Sequence, residues 1–433
     1  MGDNTTKALN TTLALLLGLL IVTVAVSIVV PEATLVAGAL TLASALTGLL
    51  LIPRTQRLVA VILLFVGVSA LILASILGHS ARPAELLSLN QDLISMLAAV
   101  SFIQLITISA ETSASRLSGR MAVWRTAAAV HLLGAVINVS ALNIIGDHLG
   151  RRGRLSIPNT LLLSRAFSAG AFWSPFWAAA AAAIAYAPGA KVNVLIIAGG
   201  CLALAAMVYS ISGVVRAFGP DLADYHGYVL SWRVLRVPLV LVAVVLIAHG
   251  VLPQLPIPNV VLVSSLGMTI GVLLVRQFRT APTIMFRHLF QVLPRMKGEV
   301  TLFASAGVLA VGLGAYFSVI DFTLPLSEFT VGFAWLCTLG MTMLSLVGVH
   351  PVISIAAVAT LIAPMDPDPS LYAMASMIAW GASAAAGPIS GLNIYLNGRF
   401  GTDSFALMRR NLPYLGVVMI LAWPVLQLCA TLA

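Results

Sequence analysis

The chain has 433 residues, of which hydrophobic types make up 60% and charged types only 9%, and its mean hydropathy is +1.05. No water-soluble fold hides that much apolar surface behind so little polar surface, so the composition excludes a soluble globular protein. The net charge is +9, but the basic residues sit in short loops beside apolar runs; the positive-inside bias accounts for them, and nucleic acid is not an expected partner.

Runs of about 20 apolar residues match a helix crossing roughly 30 Å of hydrocarbon, whereas barrel strands show short alternating segments. The expected fold is an all-α polytopic membrane protein embedded in a lipid bilayer. The first run, 9 to 30, is too long for a signal-peptide core and is read as a retained helix. Further runs fall at 33 to 53, 58 to 78, 88 to 109, 159 to 187, 191 to 215, 234 to 252, 259 to 275, 299 to 320, 370 to 396 and 411 to 432. Together these make about 11 transmembrane helices. Two apolar stretches remain, 126 to 150 and 329 to 364.

If both stretches are re-entrant helical hairpins, every Lys and Arg except Arg82 and Lys191 falls on the cytoplasmic side, from Lys7 and Arg54 through Arg116, Arg151, Arg152 and Arg165 to Arg410. If each crosses once, the middle of the chain inverts and that bias disappears, so the positive-inside rule favours the hairpins. The first stretch is too short for two crossings, but two arms of about 12 residues reach roughly 18 Å and pass the midplane. The second is long enough for two short spans, and parity alone leaves that alternative open.

With this threading the order of 33 to 216 recurs in opposite orientation over 234 to 432, the inverted-repeat plan of many secondary transporters. The expected division is an extra N-terminal helix at 1–32, scaffold helices of repeat 1 at 33–110, and transport-domain elements of repeat 1 (hairpin and broken helix) at 111–190. Scaffold helices and amphipathic linkers follow at 191–298, and repeat 2 with its hairpin, broken helix and last helix at 299–433. The expected location is a bacterial inner (cytoplasmic) membrane, with the N-terminus cytoplasmic and the C-terminus periplasmic.

Irregular backbone at bilayer depth is tolerated only where protein buries it or it lines a wet cavity. Breakers stand in matching places: Ser168 to Pro175 after the first hairpin, and Gly381 to Asn393 after the second. Each segment is too long for one straight span and is expected to unwind in the middle. The exposed N-terminus of the following half-helix favours an anion. Ser168, Ser174, Ser383, Ser390 and Asn393 supply hydroxyl and amide groups for a substrate, against the plainer reading that small residues and Ser serve close helix packing. At the hairpin tips, Asn138, Ser140 and Asn143 are neutral hydrogen-bonding groups, and His350 is the titratable group at tip depth. His350 has two readings, an anion or proton binder and a neutral cap of the broken hairpin. Asn138, Asn143, His350 and Asn393 are the coupling-ion candidates. His131 is expected to be packed or bonded to a carbonyl.

Asp92 and Glu111 are read as interfacial, and Asp147 as paired locally with Arg151 and Arg152. Arg165 is read as a positive-inside anchor, with attraction of anions to the cytoplasmic vestibule as the other reading. Cys201, Cys337 and Cys429 stand singly in apolar stretches and are read as packing residues. No metal site or cofactor is expected. No nucleophile elbow, P-loop, HExxH or carboxylate pair occurs, so an enzyme is not expected.

The tips at Asn138 to Asn143 and Gly348 to Pro351, the two breaks, and the amphipathic link Arg287 to Gly298 leading into Glu299-Val-Thr-Leu-Phe together resemble the ion transporter superfamily. That family includes divalent-anion/sodium symporters and the membrane subunits of tripartite periplasmic transporters. The resemblance implies an anion held between two tips and two broken helices, and an elevator motion past a scaffold that often forms a homodimer, coupled to Na⁺ or H⁺. The chain departs from the symporters' paired Ser-Asn-Thr tips, with Asn138-Val-Ser140 at one tip and Val349-His350-Pro351 at the other. The expected function is secondary active transport of a small organic or inorganic anion. The alternatives are the membrane subunit of a binding-protein-dependent transporter, and a channel or lipid-handling protein.

Overall fold

The fold is that of a computed structural model, which describes residues 3–78, 90–107, 118–150, 153–228, 230, 232–320 and 328–433. Arg82, Arg116, Arg151 and Arg152, which entered the charge argument, and Glu111, read as interfacial, lie outside the described residues. In chain order the helices are α1 (Asp3–Ser27), α2 (Ala33–Leu51), α3 (Arg54–Ile76), α4 (Gln91–Ser101), α5 (Gly119–Ile137), α6 (Val139–Leu149), α7 (Ile157–Ser168), α8 (Ala178–Ala185) and α9 (Val192–Phe218). They continue as α10 (Trp232–Val251), α11 (Ile257–Gln277), α12 (Ala281–Gln291), α13 (Lys297–Val319), α14 (Val331–Leu346), α15 (Pro351–Ile362), α16 (Pro369–Ala386), α17 (Gly391–Phe400) and α18 (Ser404–Leu432). Among the described residues there is no strand, only an isolated bridge between Ser118 and His226.

The chain is an all-α polytopic membrane protein. Among the described residues, eight helical stretches are long and apolar enough to cross a membrane: α1, α2, α3, α9, α10, α11, α12 with α13, and α18. The shortfall against about 11 expected spans has a local cause. Of the run at 88 to 109 the described helix is only Gln91–Leu105, with residues 88, 89, 108 and 109 outside the described residues, and the runs at 159 to 187 and 370 to 396 are each interrupted, after Ser168 and after Ala386.

The chain divides into two compact units, each drawn from both halves of the sequence. The first comprises Met1–Ile106, Ala243–Ser327 and Ala356–Met365. Its tightest packing lies between α3 and α13, where a Cβ added to Gly312 would stand 2.1 Å from the Gly67 carbonyl oxygen. Such backbone contact is how helices associate in lipid, where apolar side chains gain nothing by leaving hydrocarbon. Beside it Leu71, Ala74 and Ala315 pack with Val311, Tyr316 and Val319. Thr301 reaches from α13 to α2, donating to the Ala45 carbonyl at 3.3 Å.

The second unit comprises Thr107–Val242, Glu328–Ile355 and Asp366–Ala433. It holds α5 to α9, α14 and α16 to α18, and so all the candidate site residues of both halves. Two boundaries differ from the expected division. Helix α9, expected among the scaffold helices, belongs with the broken segments, because Gly199 lets the Phe172 carbonyl press against it. Helix α13, expected with the second hairpin, belongs to the first unit through its glycine contact with α3.

Candidate functional site

Hairpin 1 is α5 and α6 joined at Asn138, which has φ +51 and ψ −134. Only glycine adopts that region without strain, and such a residue costs about 1–3 kcal/mol. The side chain of Asn138 is half-buried. The carbonyls just before the turn are taken by the first break: Trp177 Nε1 donates to Gly134 O at 3.0 Å, and Ser174 Oγ donates to Ala135 O. Ser174 also accepts from Phe176 N at 3.2 Å. One turn earlier, His131 Nδ1 meets Ala166 O at 3.1 Å and its Nε2 meets Trp173 Nε1 at 3.1 Å. A carbonyl only accepts and an indole N–H only donates, so His131 is neutral with its proton on Nδ1. These bonds stitch the first break to the hairpin and spend both His131 and Ser174 on structure. Asn138→Gly is expected to raise the unfolding midpoint of the purified protein, by relief of about 1 kcal/mol or more, while lowering any anion-dependent activity; an unchanged midpoint would contradict the strained turn.

Helices α14 and α15 meet at a turn containing Gly348, at φ +102. Among the packed helix pairs, α14 lies against α16 and α18, while α15 does not fold back along it. His350 Nδ1 accepts the Val352 N–H at 3.3 Å, and its ring stands edge-on to Trp380 at 5.2 Å. The imidazole therefore caps the first turn of α15 through its acceptor nitrogen.

The second break is residues 387–390, between α16 and α17. Helix α16 stays regular through Gly381 and Ser383 to Ala386, so the irregular segment is shorter than Gly381 to Asn393; Gly387 N still donates to Ser383 O at 2.7 Å. The carbonyls stranded at its end find side-chain donors, as bilayer depth demands. Ser390 Oγ donates to Ala384 O at 2.8 Å and accepts Asn393 N at 3.1 Å. Asn393 Nδ2 donates to Gly387 O at 2.8 Å and Ala385 O at 3.3 Å. Two buried oxygens remain without a hydrogen bond, Asn393 Oδ1 and Ser383 Oγ. Tip 2 closes on this break: a Cβ on Gly348 would lie 2.8 Å from Ile389 Cδ1.

The interrupted helices cross at Gly381, where a Cβ would stand 2.5 Å from the Phe172 ring and 3.2 Å from Ser168 O. Ser168 is fully buried there and donates to Arg165 O at 3.2 Å. Hairpin 1 also meets α17. Asn143 is exposed and accepts from the Tyr395 hydroxyl, and Asp147 pairs with Arg399 at 2.8 Å. This partner of Asp147 is 252 residues away, because 143 and 147 on α6 share a face with 395 and 399 on α17; Arg151 and Arg152, the local partners expected for Asp147, lie outside the described residues. Ser140, half-buried, lies on α6 one residue past Val139. At the other end of α5, Thr126 Oγ accepts Tyr228 N at 2.9 Å and faces the Tyr225 hydroxyl. Burial pushes the Tyr225 phenol up to about 12, which keeps it a donor.

Arg165 is buried, with 6% of its surface exposed. Its Nε donates to Asn411 Oδ1 at 2.8 Å, its Nη2 to Arg410 O at 2.7 Å, and its guanidinium carbon stands 5.4 Å from the centre of the Tyr414 ring. Pro413 removes a helical N–H from this turn of α18, and Arg165 binds a carbonyl within it. Asn411, fully buried, donates in turn to Ser164 Oγ at 3.2 Å and Ala385 O at 2.7 Å. It joins the helix before the first break to the end of the helix before the second. Sequence reasoning passed over Asn411; the available signal was a lone amide in an apolar run just ahead of a proline. No protein-family model and no curated protein matches this chain.

Proposed function

We propose that this protein is a secondary active transporter of a small anion, working by elevator-type alternating access in which the second unit carries the substrate and the first is the scaffold. The observation that carries the reading is the pair of interrupted helices, one from each half of the sequence, that cross at Gly381 within one unit. Soluble-protein economy does not explain two helices broken at bilayer depth and repaired by Ser174, Ser390, Asn393 and Asn411; a polar pathway does. The N-terminus of α17 supplies a positive dipole end. Asn393 Oδ1 and Ser383 Oγ supply unspent oxygens suited to a coupling Na⁺. The charge bias supports a re-entrant first hairpin, a second stretch that returns to the side it entered from, and a cytoplasmic N-terminus in an inner membrane. On this reading the chain is a member of the ion transporter superfamily.

Purified full-length protein in liposomes tests the proposal, with labelled acetate, succinate, citrate, sulfate and phosphate under imposed Na⁺ or proton gradients. Saturable uptake that follows one gradient is expected. Unsaturable flux independent of both would mark a channel. Flux that appears only with an added periplasmic binding protein would mark the tripartite arrangement.

A further inference from the structure

The geometry points to Arg165 as the residue that recognises the substrate's charged group, an oxygen-bearing anionic head, carboxylate or tetrahedral oxyanion, met by the Nη1 edge of the guanidinium. This rests on the transport reading and adds to it the site's charge.

A guanidinium has five N–H donors. Arg165 directs Nε to an amide oxygen and Nη2 to a backbone carbonyl, which leaves both Nη1 hydrogens unspent. All these partners are neutral, and among the described residues the ion pair is Asp147 with Arg399, not with Arg165. Burying a charge against neutral partners alone costs several kcal/mol, and holding the carbonyl of Arg410 requires only a neutral donor such as Gln. The Tyr414 ring, 5.4 Å from the guanidinium carbon, offsets part of the burial of this charge, and an anion at the unspent Nη1 edge offsets the rest.

Two features place that anion beside the broken helices. Arg165 lies one turn before Ser168, whose hydroxyl bonds to the Arg165 carbonyl. Asn411 links it through Ala385 O to the amide of Asn393. Gly213 on α9 stands next to Nη1: a Cβ there would come 3.5 Å from that nitrogen, so a larger side chain at 213 would cover it. Guanidinium recognition of this kind prefers planar carboxylates or oxyanions, because its forked donors match their oxygen spacing.

The experiment measures thermal unfolding of full-length protein in detergent, titrated with sodium acetate, succinate, citrate, sulfate and phosphate against sodium chloride of equal ionic strength. Acetamide and succinamide are the uncharged controls. The wild type is expected to be stabilised by at least one anion and by neither amide, and the responding anion distinguishes carboxylate from tetrahedral head. Arg165→Gln should raise the half-effect concentration of that anion about thirtyfold or more, and Arg165→Lys less. Gly213→Val covers the case in which Arg165→Gln fails to fold: it leaves the hydrogen bonds of Arg165 intact, and should weaken the anion response without lowering the unliganded midpoint. If folded Arg165→Gln, or failing that Gly213→Val, responds to the same anion at the wild-type concentration, the assignment of Arg165 is overturned while transport stands. If the wild type answers to no anion here and moves none in liposomes, the transport reading fails and takes this assignment with it.

Discussion

Gly199→Val is expected to unfold or grossly loosen the second unit, whereas Gly200→Val next to it is expected to be nearly silent. A Cβ at position 199 would stand 1.9 Å from the Phe172 carbonyl oxygen and 2.7 Å from its carbon, while at 200 nothing lies within 4 Å. The obstacle at 199 is backbone, and it belongs to the 3-10 turn that forms the first break, so no rotamer change relieves the clash. Overpacking ordinarily costs 1–3 kcal/mol and here belongs at or above the top of that range, about 3 kcal/mol. The measurement is the unfolding midpoint and the monodisperse fraction of the two purified variants side by side. Equal behaviour of the two would mean that α9 does not pack on the break in this way.

The second large effect is expected at Asn411. Asn411→Leu keeps the branching of the side chain but strips a partner from Arg165 Nε, Ser164 Oγ and Ala385 O at once. An unsatisfied buried group costs about 1–3 kcal/mol, more when charged, although hydrogen bonds between helices in membranes average about 0.6 kcal/mol. The three losses together place the expected destabilisation at about 2–4 kcal/mol. Asn411→Asp restores a partner for Arg165 but not the donors to Ser164 and Ala385, and should fall between Leu and wild type. A Leu variant as stable as the wild type would show that the amide is no hub.

These two positions also show how far the sequence could be read. The breaks were legible because Gly387-Pro388 and Ser174-Pro175 interrupt apolar runs, and proline deletes a donor wherever it stands. The reach of the second break was not. Gly381 to Ala386 contains the same small residues on either side of the true end, and the helix stops at Ala386 because the Gly387-Pro388 step follows and the side chains of Ser390, Asn393 and Asn411 take over its last carbonyls. The pairing of Asp147 with Arg399 and that of Asn411 with Arg165 join residues about 250 positions apart, for which periodicity carries no information.

The amino-acid sequence alone determined the solvent of this protein and its helical class, because apolar length and hydropathy are local properties that a bilayer reads directly. It also determined where the long apolar runs break, through Gly, Pro and Ser at particular positions. The tertiary structure alone decided which helices share a unit, that Gly67 meets Gly312 and Gly199 meets Phe172, and that Arg165 is buried against Asn411. Those outcomes turn on how closely two backbones approach and which distant donor meets which stranded carbonyl. Both are fixed only when the helices pack.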